Sequence, residues 1–386
     1  MPKHLVRIDI LRGIAILSVI QLHTLLITSA YNYLQVPAIP MLFLHAGSAG
    51  VDLFFILSAY LLTTNLLRHR STPNVISAFY LRRALRILPM FLLLILGGFT
   101  LEALWTRAGG SSETWLWRGR YPLSTYLLFL QNWRLGLDGH WSAQFFTPTW
   151  SLAVEEHFYL LLPLLVTRLQ PRRFAFLAAA GILIATPIRV FLFLNYGHIA
   201  PTTWTIARLD AFGWGILIAL APTLWPNLPE RINPRLLIGA GASLFAIVIV
   251  FAPFLLPGAS EDNVFGATWI DFALALVTFG VVHRGAEPSR TGPVGRAFAW
   301  CGARCYSLYL LHVPALGLIF LAAGQTERPK VDNLETLGLV ALSIGLTLLI
   351  ADICYRRVEQ PSMRLAQRIA SYRGRLTEAL PIEAAE

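Results

Sequence analysis

Long runs of apolar residues, separated by short polar segments, are the dominant pattern along this chain. An α-helix that crosses a bilayer needs about 20 mainly apolar residues. Ten runs approach that length, and we predict a membrane-spanning helix in each: 10–29, 42–66, 86–104, 149–167, 174–194, 204–222, 236–256, 265–283, 297–323 and 334–355. The apolar segment 122–132 is too short to cross and is expected to be interfacial or re-entrant. The pattern therefore predicts an all-α, polytopic transmembrane helix bundle.

The composition agrees with a membrane bundle. Of the 386 residues, 56% are hydrophobic and only 13% are charged, whereas soluble proteins average about 25% charged residues. The bundle is expected to occupy residues 1–361, followed by a short cytoplasmic tail at 362–386. The three cysteines form an odd and sparse set, which predicts neither a disulfide framework nor a metal site: Cys301, Cys305 and Cys354.

The formal charge of +10 is distributed unevenly between the predicted loops. If the N-terminus is cytoplasmic, 22 of the 31 lysines and arginines fall on inner segments and six fall on outer segments. Because cytoplasmic loops are rich in lysine and arginine, both termini are predicted to be cytoplasmic. A multi-pass protein of the cytoplasmic (inner or plasma) membrane explains the basic charge, and no nucleic-acid partner is needed to explain it.

The first predicted span carries three ionisable side chains near one face. Asp9 and Arg12 lie at its inner end, and His23 lies near its middle. Arg12 and His23 are about 20° apart around the helix and about 16 Å apart along it. Ionisable groups are costly in lipid and usually face a protein interior or a cavity. This polar stripe of Asp9, Arg12 and His23 is explained either by a polar path for a substrate or by a histidine that hydrogen-bonds a neighbouring helix.

Two compact clusters of charge lie on other predicted spans. Arg82, Arg83 and Arg86 are at the inner end of the third span. Guanidinium groups bind phosphates through paired hydrogen bonds, but an ordinary cytoplasmic anchor has the same composition. Glu155 and Glu156 lie about two turns into the fourth span. Both cannot face lipid, so at least one faces the interior, as a structural clamp or as a catalytic group.

Isolated polar residues mark three more spans. Arg208 and Asp210 lie at the outer end of the sixth predicted span, and His312 lies in the outer half of the ninth. Asp52 lies in the second. A polar group inside a bundle often only joins helices, so each of these residues alone is weak evidence of function.

Taken in order, these stretches resemble the membrane-bound acyltransferase family 3, the O-antigen acetylase-like proteins. The resemblance covers roughly residues 5–361 and rests on six stretches: DILRGIAI at 9–16, VDLFFILSAYL at 51–61, RRALRILP at 82–89, WSLAVEEHFYL at 150–160, RLDAFGWG at 208–215 and YSLYLLHVP at 306–314. Ala59 and His157 stand where glycine and glutamine are common in the family. Neither departure removes a group to which chemistry is assigned.

The resemblance implies an O-acyltransferase. Such an enzyme moves an acyl group, typically acetyl from acetyl-CoA, to a hydroxyl group. The acceptor it implies is a cell-envelope sugar, a lipid-linked glycan or a glycosylated small molecule. Acyl-CoA is thus the expected co-substrate, and it is expected to arrive from the cytoplasmic side of the bilayer.

Acyl transfer to an alcohol requires a base, stabilisation of the oxyanion and an anchored donor. His23 is the expected base, with its tautomer set by Glu155 or Glu156, and Arg12 is expected to steer the donor or to stabilise charge. Three arginines are expected to hold the phosphates of CoA: Arg82, Arg83 and Arg86. The remaining ionisable residues are expected to bind the substrate or to support the base: Asp9, Arg208, Asp210 and His312.

A transporter or flippase for an anionic or sugar-bearing substrate is the alternative function. It would share the polar stripe and the ten spans, but it would not depend on acyl-CoA. Many transporters are built from internal repeats, and none is discernible in this chain. That observation and the basic cluster at the inner face favour the enzyme.

Overall fold

A computed structural model describes residues 6–255, 264–283 and 291–379 of the chain. These residues form helices and connecting segments, with no strand among them. We number the helices of eleven residues or more in chain order: α1 Val6–Thr28, α2 Ala49–Arg68, α3 Val75–Arg107, α4 Thr149–Arg168, α5 Pro171–Tyr196, α6 Leu209–Leu224, α7 Pro234–Leu255, α8 Gly266–Val282, α9 Pro293–Ala303, α10 Cys305–Ala322, α11 Leu334–Cys354 and α12 Gln360–Ala379.

Eight segments of the described residues are long and apolar enough to cross a membrane: Val6–Thr28, Met41–Arg68, Val75–Arg107, Pro171–Tyr196, Thr205–Leu224, Pro234–Phe251, Cys305–Ala322 and Leu334–Ile369. Each coincides with one of the ten predicted runs. The prediction of an all-α polytopic bundle is therefore confirmed, and the protein is a multi-pass membrane protein. The last of these segments continues through the π-helical turn Tyr355–Glu359 into α12.

The count of ten spans was too high by the criteria of length and hydropathy. The run 149–167 forms α4, but the carboxylates of Glu155 and Glu156 keep this helix out of the apolar set. The run 265–283 forms α8, which has 17 residues and is shorter than a full span. The run 297–323 is broken at Arg304, so that the spanning helix begins only at Cys305.

The segment 122–132 forms no helix long enough to cross a membrane. It contributes the short helix Leu123–Leu127 and the start of the helix Gln131–Asp138. Both helices lie between α3 and α4 in the chain. Neither helix approaches the length of about 20 residues that a crossing requires.

Local sequence explains where several helices begin. In hydrocarbon, an α-helix satisfies its own backbone hydrogen bonds, which is why the apolar runs fold as helices. Pro171 occupies the first turn of α5, where its missing N–H costs nothing. Asn333 caps α11, because its side-chain oxygen accepts the backbone N–H of Thr336 at 2.8 Å and the Thr336 hydroxyl bonds back to the cap.

Helix α1 lies inside the bundle and packs against α2, α9 and α10. Glycine makes its contact with α9 possible: Gly13 faces the Phe298 carbonyl, and Gly302 faces the Asp9 carbonyl. At either position a Cβ atom would overlap backbone atoms of the other helix. Small residues at such crossings let membrane helices approach closely. This contact places the polar face of α1 among α2, α9 and α10.

We expect Gly302→Ala to destabilise the fold by about 1–3 kcal/mol, because an overpacked contact between two backbones cannot relax by rotating a side chain. Gly338→Ala on α11 is the matched control, since no atom lies within 4 Å of a Cβ at that position. Thermal unfolding of both variants in detergent is the measurement. Equal midpoints for Gly302→Ala and wild type would show that α1 and α9 do not make this contact.

Candidate active site

Two histidines meet in the interior of the bundle, one from α1 and one from α10. His312 Nε2 lies 3.0 Å from His23 Nδ1, and the ring centroids are 5.0 Å apart. His312 is buried and His23 is half-buried. Sequence reasoning placed these residues on different spans and gave them separate roles. The structure brings them into direct hydrogen-bond contact.

The hydrogen bonds define the tautomer of each ring. His312 Nδ1 lies 2.7 Å from the Tyr309 carbonyl, and a carbonyl can only accept, so His312 carries its proton on Nδ1. No carboxylate contacts either ring among the residues described here, so both rings are neutral in this arrangement. His312 Nε2 is then an acceptor, and His23 Nδ1 must donate to it. The lone pair of His23 Nε2 is left available to take a proton.

The partner of His23 is not a glutamate, contrary to the expectation that Glu155 or Glu156 sets its tautomer. Glu155 instead accepts hydrogen bonds from the Ser58 hydroxyl at 2.9 Å and from the Tyr159 hydroxyl at 2.9 Å. The bond from Ser58 joins α2 to α4, whereas Tyr159 lies one turn further along α4 itself. Glu155 therefore has the contacts of a structural clamp between helices, one of the two roles that the sequence left open.

Glu156 differs from Glu155 in its contacts. Its Oε1 atom is buried and has no hydrogen-bond partner among the described residues. Glu155, Arg83 and Tyr306 are the charged and polar side chains that influence it electrostatically. A buried oxygen without a partner is costly, and such exceptions in a native fold call for an explanation. Of the two carboxylates, Glu156 is therefore the one with a free acceptor in the interior.

Helix α4 also contacts α10 through hydroxyl groups. The Ser151 hydroxyl and the Tyr309 hydroxyl are 2.6 Å apart, and both residues are buried. The carbonyl of the same Tyr309 orients His312. The position of the histidine pair thus depends on α1, α4 and α10 together.

Arginines from α1 and α3 converge at the end of α1 that precedes His23. Arg83 lies close enough to Arg86 and Arg12 for their positive charges to act on it. Arg12 is 3.6 Å from Asp9, and Arg86 donates to the sulfur of Met363 at 3.4 Å. Three cations in one neighbourhood make this end of α1 a candidate anion site.

Arg82 does not belong to this group of three arginines. It is half-buried and has no hydrogen bond or ion pair among the described residues. Arg83 instead lies over the ring of Tyr159, 5.7 Å from its centroid. The structure therefore groups Arg83 and Arg86 with Arg12, and it does not group Arg82 with them.

Arg208 and Asp210 are already engaged in buried ion pairs. Arg208 is 3.0 Å from Asp52, and Asp210 is 2.7 Å from Arg189. Arg189 also donates to the carbonyl of Ala207 at 2.7 Å. Arg189 lies within the predicted span 174–194, and sequence reasoning assigned it no role. An arginine at that depth is itself a signal of a buried partner. These pairs tie α2 and α5 to α6.

No group of three or more histidine, cysteine or acidic side chains within the described ranges is arranged to hold a metal ion. The site consists instead of imidazole, hydroxyl, carboxylate and guanidinium groups. A neutral imidazole with a free nitrogen, next to an anion site on the same helix, has the parts needed for group transfer from an anionic donor.

Comparison with known families identifies the kind of protein. The family model described as an acyltransferase domain matches residues 5–356, which is most of the chain. The chain belongs to the acyltransferase 3 family. Membership of this family favours the enzyme over the transporter alternative.

Relatives within the acyltransferase 3 family are distant. The chain is 26% identical over 381 residues to a Staphylococcus aureus (strain COL) protein named "Putative O-acetyltransferase SACOL0978". It is 25% identical over 378 residues to O-acetyltransferase OatA of Staphylococcus aureus (strain NCTC 8325 / PS 47). Each comparison covers 93% of this chain and 57% of the relative, so the chain spans little more than half the length of either. No solved structure matches it.

For this acyltransferase, we expect Arg208→Ala to cost about 3–5 kcal/mol of stability, because Asp52 would remain as an unpaired charge in the interior. The double variant Asp52→Asn/Arg208→Gln removes both charges and is expected to recover more than half of that loss. Chemical or thermal unfolding in detergent measures both. An Arg208→Ala protein as stable as wild type would contradict a structural role and favour a substrate-binding one.

Proposed function

We propose that this acyltransferase moves an acetyl group from acetyl-CoA to a hydroxyl of a cell-envelope sugar, a lipid-linked glycan or a glycosylated small molecule. The observation that carries the proposal is the hydrogen bond between His23 and His312, which leaves one imidazole nitrogen free. Family membership supplies the reaction class. The acetyl group and the hydroxyl acceptor are supported by the names of the relatives, which are O-acetyltransferases.

His23 is the general base in this proposal. Its Nε2 takes the proton of the acceptor hydroxyl as the oxygen attacks the thioester carbonyl carbon. A C–O bond forms, the C–S bond breaks, and the proton on the imidazolium passes to the departing CoA thiolate. The ester and free CoA are the products, and His23 returns to its neutral form.

His312 is a positioning residue for His23. As an acceptor at Nε2, it holds the proton of His23 on Nδ1 and fixes the plane of the ring. It also stabilises the imidazolium that forms when His23 takes the proton, because the Nδ1–H bond strengthens as the ring gains charge. The Tyr309 carbonyl holds His312 in turn.

The arginines anchor the donor. Arg12, Arg83 and Arg86 bind the phosphates of CoA at the inner end of α1, and Arg82 supports the same site from its margin. Arg12 lies eleven residues before His23, about 16 Å along the helix. The flexible arm of the donor covers this distance and carries the thioester to the histidine pair.

Glu156 is assigned a catalytic role in this proposal: its unpartnered oxygen, near Arg83, bonds the acceptor. Glu155 keeps α2 and α4 in place. Arg208 and Asp210 shape the acceptor side through their ion pairs, and Asp9 sets the position of Arg12.

We further propose that the enzyme lies in the cytoplasmic membrane with both termini inside and that residues 362–386 form a tail. Two features support this orientation: the distribution of lysine and arginine, and the position of the anion site at the end of α1 where the chain begins. With this orientation, cytoplasmic acyl-CoA meets the three arginines directly.

We expect His23→Ala to lower acyl transfer by at least about 100-fold, the contribution typical of a general base. The measurement is mass spectrometry of envelope glycans and secreted metabolites from cells that carry wild-type protein, the variant or no protein. Wild type alone is expected to produce the mass increment of one acetyl group.

His198→Ala is the matched control, since His198 lies outside the bundle interior in an exposed loop. It is expected to behave as wild type. Full acetylation by His23→Ala would contradict the assignment of the base. No acetylation by wild type in any envelope or secreted fraction would contradict the proposed acceptor class.

For His312→Ala, we expect a fall in kcat of about 10-fold or more with an unchanged KM for acetyl-CoA, because the residue orients the base and does not touch the donor. His312→Gln keeps an acceptor near the same place and is expected to recover part of the loss. Steady-state kinetics of CoA release in purified protein separates these outcomes. Equal losses in both variants would indicate that only packing at this position matters.

A further inference from the structure

We propose that a groove between α1 and α9 binds the nucleotide end of the acyl donor, with adenine on Trp300 and the ribose phosphate on Arg296. The groove lies beside the inner end of α1 and adjoins the arginines that anchor the donor. This inference rests on the proposed function, because it assumes a donor that carries a phosphorylated adenosine. It adds a binding site on α9, a helix to which sequence reasoning assigned no role.

The groove is an open cavity of about 780 Å³. Its lining includes Val6 and Asp9 from α1, Arg296, Ala299 and Trp300 from α9, and Thr291 just before α9. Sites for small molecules and cofactors typically enclose about 300–1,000 Å³ and combine aromatic or apolar walls with a few polar groups. In size and lining, this groove matches such a site.

Trp300 offers a fixed surface on which a base can stack. The guanidinium of Arg304 lies over the indole, 4.2 Å from the ring centroid. Arg304 is held in turn by Asp352 of α11 at 2.6 Å. The indole is thus supported by an ion pair that joins α9 to α11, and it loses little freedom when a ligand binds. Aromatic side chains stack on nucleobases regardless of which base is present.

Arg296 provides the charge for a phosphate. It lines the groove, and its residue is exposed to solvent. A guanidinium presents paired donors that match the oxygens of a phosphate group. Together, an exposed arginine and a supported indole have the chemistry that recognises an adenosine phosphate.

Asp9 also lines the groove, and its negative charge must be considered. Its carboxylate lies 3.6 Å from the Arg12 guanidinium, which offsets the repulsion that a phosphate would meet. Arg12 in turn lies near Arg83. Asp9 and Arg12 thus connect the groove with the arginines of α3.

The geometry of α1 connects the groove with the histidine pair. From Asp9 to His23 the helix rises about 21 Å, with Arg12 about one turn beyond Asp9. Helices α1 and α9 touch at Gly13 and Gly302, so the arm of the donor passes along the Arg12 face of α1 and not between the two helices. The nucleotide then stays at the inner end while the thioester reaches His23.

The test is the binding of CoA to the purified full chain in detergent, measured by calorimetry. Arg296→Ala and Trp300→Ala are each expected to weaken binding by about five- to ten-fold or more, from the loss of a charge-assisted bond or of stacking. Trp300→Phe keeps an aromatic face and is expected to bind more tightly than Trp300→Ala. Arg172→Ala, an exposed arginine at the start of α5, is the matched control for charge and is expected to bind as wild type.

Two results would overturn the inference in different ways. If wild type binds CoA and Arg296→Ala binds it equally well, the nucleotide lies elsewhere and the proposed reaction stands. The same conclusion follows if Trp300→Phe and Trp300→Ala bind CoA as tightly as each other. If wild type binds no CoA at all, the proposed donor is wrong, and the proposal that the groove binds its nucleotide end is wrong as well. Because Arg296 is exposed, its alanine variant tests the site without disturbing the fold.

Discussion

A polar side chain at membrane depth must find its partner inside the protein, because lipid offers none. This constraint explains most of the contacts that hold the bundle together. Arg189 pairs with Asp210 and Arg208 pairs with Asp52, tying α2 and α5 to α6. Glu155 is satisfied by two hydroxyl groups. Once these groups are paired, the buried polar atoms that are left without partners stand out as candidates for chemistry.

Two groups are of particular interest, one on α1 and one on α4. The hydrogen bond to His312 occupies His23 Nδ1, and Glu156 Oε1 is buried without a partner among the described residues. In the proposed mechanism, the paired residues fix the helices, and His23 and Glu156 act on the substrate. Arg12, Arg83 and Arg86 lie near one another at the N-terminal end of α1, with Asp9, Glu155, Glu156 and Glu359 as the nearby acids.

Much of this could be predicted from the sequence, because long apolar runs and rare charges are strong local signals. Eight of the ten predicted spans and the helical class follow from such signals. Contacts between distant helices could not be predicted. The spacing of residues on one helix says nothing about which neighbour it faces, so the partner of His23 was expected to be a glutamate and is His312. The break at Arg304 was hidden inside one continuous apolar run.

The proposed mechanism depends on the delivery of the acyl group of a CoA thioester to His23. A cryo-EM structure of the protein with a non-transferable acetyl-CoA analogue tests this delivery most directly. We expect the acyl group within hydrogen-bonding reach of the site served by His23 Nε2, with the phosphates among the arginines of α1 and α3. A bound analogue whose acyl group lies away from the histidine pair would contradict it.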